Sequence, residues 1–74
     1  MTLDQLARGQ TGRVEAIAGD PGLVQRLYEV GLLEGEDVEV LAFAPLGDPV
    51  EVRVGDTRLS LRRAEAAAVT VRVG

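Results

Sequence analysis

Few side chains in this sequence could make or break bonds. Ser60 is its single serine, and the chain has no histidine, lysine or cysteine. A hydroxyl nucleophile needs a base within hydrogen-bond reach, and no histidine or lysine is present to activate Ser60. The same absences remove the commonest transition-metal ligands and rule out disulfides. Carboxylates remain, and Glu34, Glu36, Asp37 and Glu39 are crowded together. Paired carboxylates can do acid–base work. This group, however, straddles a turn and the solvent side of a strand, without the ligand spacing of a Mg²⁺ or Ca²⁺ loop. A solvated acidic edge accounts for it. Glycines 9, 12, 19 and 22 match neither phosphate-loop pattern and read as turn residues. Elimination leaves binding. The chain is expected not to be an enzyme and to carry no catalytic, cofactor or metal residue, with a transition-metal ion the one cofactor left open.

Two places look able to bind. In Ala44-Pro45-Leu46-Gly47-Asp48-Pro49, two prolines flank Leu-Gly-Asp between two strands. Leu46 either folds back as a lid on the core or stands out as a contact on a pre-ordered loop, whose low flexibility reduces the entropy lost on association. In Gln25-Arg26-Leu27-Tyr28-Glu29, helical spacing turns Leu27 and Tyr28 toward the core. It leaves Arg26 free for a charged contact or a buried pair with a strand carboxylate. The candidate contact residues are therefore Arg26, Pro45, Leu46, Gly47, Asp48 and Pro49.

The elements that must position them follow from pattern. Thr2 with Gln5 three residues later forms a capping box that starts one helical turn. Thr11 to Ala18 alternates imperfectly as a strand, with Val14 and Ala16 on one face. Asp20-Pro21 starts a helix: the carboxylate accepts from free N–H groups, and proline fits the first helical position. Leu23, Val24, Leu27 and Tyr28 make its apolar stripe, and Gly31 ends it near residue 30. Asp37 to Ala44 is a strand with one face buried. Val50, Val52 and Val54 alternate with Glu51 and Arg53 in the clearest strand signal of the chain. Gly55-Asp56 is a two-residue hairpin turn leading into Thr57 to Leu61. Arg62 to Ala67 makes about one helical turn, and Val69, Val71 and Val73 form a last strand.

The fold class is thus mainly β: five short strands, one helix near 21–30 and short helical turns, in a single domain over 1–74. Strands this short avoid long unpaired edges by curling into a small, partly open barrel. A chain of 74 residues buries only roughly 60% of its unfolded surface, so close aliphatic packing must hold it. Its net charge is −4, and its eight arginines are scattered except for Arg62-Arg63. That is not the basic stripe of a nucleic-acid binder, and Tyr28 and Phe43 are too few for a stacking platform. No apolar run approaches the ~18 residues of a membrane span. The N-terminus lacks a signal-peptide pattern, and the expected compartment is the cytoplasm.

Five segments in order resemble a known family: Leu3-x-x-Leu6-x-x-Gly9; Val14-x-x-Ile17-x-Gly19-Asp20; Arg26-Leu27-x-Glu29-x-Gly31-Leu32; Ala44 to Pro49; and Leu59-x-Leu61-Arg62-Arg63-x-Glu65-Ala66. This order is similar to the FeoA family, with Val30 where that family often carries methionine. The resemblance implies an SH3-like β-barrel. It also implies an accessory or regulatory role beside the membrane ferrous-iron permease with its GTP-binding domain, FeoB. The same domain type occurs at the C-terminus of iron-dependent repressors. An alternative reading is therefore a metal-sensing or regulatory SH3-like domain using oxygen ligands, with Asp48 and the Glu34 to Glu39 group as candidates.

Overall fold

The computed structural model describes residues 1–73. It contains a 3-10 turn (Leu3–Gln5), β1 (Thr11–Ile17), α1 (Pro21–Glu29), β2 (Asp37–Phe43), β3 (Val50–Val54), β4 (Thr57–Leu61), α2 (Arg63–Ala66) and β5 (Val69–Arg72). The strands form one antiparallel sheet in the order β4-β3-β2-β1-β5. Val38, Val40, Val50, Val52, Val69 and Val71, all fully or almost fully buried, line its inner face with leucines from the connecting segments.

Two register shifts curl the sheet. One falls between Val40 and Ala42 in the pairing of β2 with β3, the other between Val14 and Ala16 in the pairing of β1 with β5. An extra residue on one strand bends it and increases its twist. The second shift corrects the alternation read from sequence: Val14 points inward, but beyond the bulge Ala16 is exposed, and Gly12 shares the buried face with Val14 instead.

The helix signals act as their chemistry requires. Asp20 Oδ1 accepts from the Leu23 N–H at 3.0 Å, with Pro21 in the first turn. At the other end the Leu32 N–H reaches the Leu27 carbonyl and the Gly31 N–H the Tyr28 carbonyl, both at 3.0 Å, with Gly31 at φ 102°. That is a full Schellman closure, and it buries Leu27 and Leu32 together. At the N-terminus Gln5 accepts from the Thr2 N–H at 2.8 Å, while the Thr2 hydroxyl donates to Asp4. The Val71 N–H donates to the Met1 carbonyl and Thr2 bridges to Thr70, so this segment covers the outer edge of β5.

Candidate functional site

The loop from Ala44 to Pro49 is built from its own backbone first. The Gly47 N–H donates to the Ala44 carbonyl at 2.7 Å, and the Ala44 N–H to the Pro49 carbonyl at 3.0 Å. Pro45 occupies the first central position of this turn, where its fixed φ is favourable. Leu46 follows at the tip, and Gly47 turns the chain back at φ 83°. The Asp48–Pro49 peptide is cis. Leu46 is 97% exposed, the most exposed of the large apolar side chains. Of its two possible placements the outward one holds; it is no lid.

A second layer of bonds ties the loop to α2. Asp48 Oδ1 accepts from the Arg63 N–H at 3.0 Å, and Arg63 Nη1 donates to the Gly47 carbonyl at 3.2 Å. Helix α2 is in turn joined to α1 through Glu65. One Glu65 oxygen accepts from the Arg62 N–H at 2.8 Å, and the other pairs with the Arg26 guanidinium. Arg26 and the Ala44–Pro49 loop, distant in sequence, thus both lean on α2. The Arg26 partner is not a strand carboxylate, and the pair is not buried: the Arg26 side chain is 61% exposed. Asp48 is partly engaged inside the molecule, holding the first N–H of α2. Sequence reasoning missed Arg63 and Glu65. Two signals pointed to them: Arg62-Arg63 is the one basic pair of the chain, and Glu65 stands three residues into the helix, where a carboxylate reaches back to the cap.

Tyr28 corrects a second expectation. It is exposed, not core-facing, and its hydroxyl donates to Glu34 at 2.9 Å. That hydrogen bond holds the phenol above its ordinary pKa, with slight burial and the nearby Glu34 charge adding in the same direction. The acidic group is dispersed in the same way. Glu34 serves Tyr28, Asp37 pairs with Arg13, and Glu39 pairs with Arg53 directly across the β2–β3 ladder. Among the described residues no three His, Cys, Asp or Glu side chains are placed to hold a metal ion. An open hollow of about 610 Å³ is lined by Thr11, Gly12, Arg13, Asp37, Arg72 and Val73. Its arginines are already paired, with Asp37 and Glu15.

A curled five-stranded antiparallel sheet in the order β4-β3-β2-β1-β5, with short helical turns between strands, has the architecture of the SH3-like barrels. The FeoA domain family model matches residues 1–73, and the chain belongs to that family. Among curated proteins it is 35% identical, over 71 residues, to the Fe(2+) transport protein A/Fe(2+) transporter FeoB fusion protein of Porphyromonas gingivalis. That match takes in 96% of this chain but only 8% of the length of the curated relative. The solution structure of the FeoA protein from Chlorobium tepidum shares 41% identity at a TM-score of 0.92, covering 99% of this chain and 70% of that one. FeoA of Stenotrophomonas maltophilia, described as a prokaryotic SH3 domain protein and solved in complex with zinc, shares 37% identity at a TM-score of 0.84, over 96% and 88% of the two chains. A manganese-dependent transcriptional repressor matches at 23% identity and a TM-score of 0.91, over 100% of this chain and 41% of that one, a likeness of fold alone.

Proposed function

We propose that this chain is a non-catalytic accessory protein of ferrous-iron uptake, working in the cytoplasm by binding the soluble portion of the membrane FeoB-type permease. The observation that carries the reading is the Porphyromonas relative, in which a stretch matching nearly the whole of this chain is part of the same polypeptide as the transporter. Joining two proteins in one chain raises their effective concentration for each other, which is useful when they act together. No helix among the described residues is long and apolar enough to cross a membrane. The proposed contacts are Leu46, Gly47 and Asp48, with Pro45 and Pro49 holding the loop and Arg26 beside α2.

The zinc of the Stenotrophomonas relative belongs to that protein. This sequence has neither histidine nor cysteine, and Glu34, Asp37 and Glu39 of the acidic group are drawn apart to Tyr28, Arg13 and Arg53. Among the described residues no three such side chains are gathered to hold an ion, so the geometry favours the accessory reading over metal sensing.

Co-purification from native membranes tests the reading. Tagged wild-type protein should retain the permease. Leu46→Asp should lose it, with retention falling about 30-fold or more if Leu46 is a central anchor. Folding should be unaffected, because the side chain touches almost nothing in the free molecule. Absence of the permease from the wild-type eluate would remove the adaptor role; unchanged retention by the variant would remove the proposed surface.

A further inference from the structure

We propose that Arg62 and Arg63 complete the contact surface around Leu46, and that the surface they fit is a protein face whose apolar socket is rimmed by carboxylates. This rests on the reading that the chain binds the permease and specifies how it does so.

The geometry starts at Arg63, which tethers the loop twice, by its backbone N–H to Asp48 and by its guanidinium to the Gly47 carbonyl. The fit is close: a Cβ built on Gly47 would stand 3.1 Å from Arg63 Nη1. Leu46 is therefore displayed at a set position relative to α2, with the Arg63 side chain beside it. The Arg63 guanidinium meets no carboxylate there. Arg13, Arg26, Arg53, Arg58 and Arg72 each form an ion pair, whereas Arg8, Arg62 and Arg63 form none among the described residues, and of these three Arg63 touches the Leu46 loop. A guanidinium has five N–H donors, and the Arg63 group uses one of its own here. Against a net charge of −4, α2 brings the Arg63 guanidinium to the Leu46 loop, with Arg62 next in the chain and exposed. An apolar knob beside a guanidinium that has no carboxylate partner is complementary to an apolar recess edged with carboxylates, since a guanidinium meets a carboxylate in a fixed two-point geometry.

An anionic membrane surface is the competing occupant, and the same residues argue against it. One leucine and two arginines fall short of the acyl chain plus polybasic patch that a stable membrane anchor takes.

The test measures the affinity of the full chain for detergent-solubilised permease across a salt series, beside binding to phosphatidylglycerol vesicles. Arg62→Gln with Arg63→Gln removes both charges and leaves the backbone N–H that holds Asp48. It should bind about 10-fold more weakly at low salt and lose most of the salt dependence. Circular dichroism melting of the variant, matched to wild type, keeps misfolding from imitating that loss. Wild type should leave the vesicles unbound. If wild type binds the permease through Leu46 but the double variant binds equally well, the arginine flank is wrong and the adaptor reading stands. If wild type does not bind the permease, both fall. Arginine-dependent binding to vesicles, with permease binding unchanged in the variant, would assign these residues to lipid and overturn the proposal.

Discussion

Strand β3 is entered and left by turns of opposite construction. At its far end Gly55 and Asp56 connect Val54 directly to its partner Thr57. Gly55 takes φ 59° and Asp56 does not have a positive φ, the pattern of a two-residue turn with glycine leading. Nothing lies within 4 Å of where a Gly55 Cβ would sit. At its near end β3 follows a longer excursion that closes on itself, receives two hydrogen bonds from Arg63 and leaves Leu46 97% exposed. Joining two antiparallel strands takes only two residues. The additional residues of the Ala44–Pro49 loop carry Leu46 and the two acceptors that Arg63 meets.

The two turns also differ in what specifies them. The Gly55 turn is complete within four residues. The Leu46 turn has a local half, its proline and backbone bonds, and a distant half, because the Arg63 N–H that meets Asp48 comes from 15 residues further along. A local device gives a connection; a tethered one can hold a side chain out in water, where burial does not hold it.

Three experiments probe this contrast. The largest effect is expected from Leu61→Ala. Leu61 is buried at 4% exposure, lies opposite Val50 in the β3–β4 ladder and leads into α2. Truncation should remove about 2–5 kcal/mol in a denaturant titration. A loss below about 1 kcal/mol would mean that this end of the sheet does not support the tether. Next, Gly47→Ala and Gly55→Ala should each cost about 1–2 kcal/mol, since both positions have positive φ. Only Gly47→Ala should also weaken permease binding, because its methyl displaces the Arg63 guanidinium from the Gly47 carbonyl. Equal binding by the two variants would erase the distinction between the turns.

The smallest effect is at Tyr28, away from both turns and a control for them. It is the single tyrosine, and there is no tryptophan, so its ionisation can be followed by ultraviolet absorption. The folded protein should titrate above the ordinary value of 10.0, and Glu34→Ala should lower the midpoint, because the hydrogen bond to Glu34 is the main cause of the shift. The raised value means that the folded state favours the neutral phenol. The Tyr28–Glu34 contact thus supports folding below pH 10.0 and loses that support as pH rises through the folded midpoint. A midpoint unchanged by Glu34→Ala would show that the contact does not persist in solution.

Legibility in the sequence tracks the range over which each signal acts. Asp20, Pro21 and Gly31 act within one helical turn, and each does what its side chain or backbone freedom predicts. The alternation in β3 survives intact because this strand pairs on both sides of the sheet and buries every second residue. Ala16 was misread because a bulge shifts the phase, which only pairing with β5 reveals. Tyr28 was misread because the stripe spacing says which residues share a face of α1 and not how far the core extends beneath it; Leu27 is buried and Tyr28 lies past the edge. The Arg26–Glu65 pair joins residues 39 apart, and no local pattern links them.

The Pro45–Pro49 loop shows both kinds of determination at once. From sequence alone come the mainly β barrel, the helix ends, the hairpin at Gly55, the absence of histidine, lysine and cysteine, and the presence of a leucine between two prolines, read from residue types and from chemistry acting over a few bonds. The direction of Leu46, the engagement of Asp48 with α2 and the placing of Arg63 next to the tip were decided only in three dimensions. Each depends on where the end of β4 delivers α2 once the sheet has curled. That position is set by the packing of the whole valine-rich core, which no short stretch of sequence encodes.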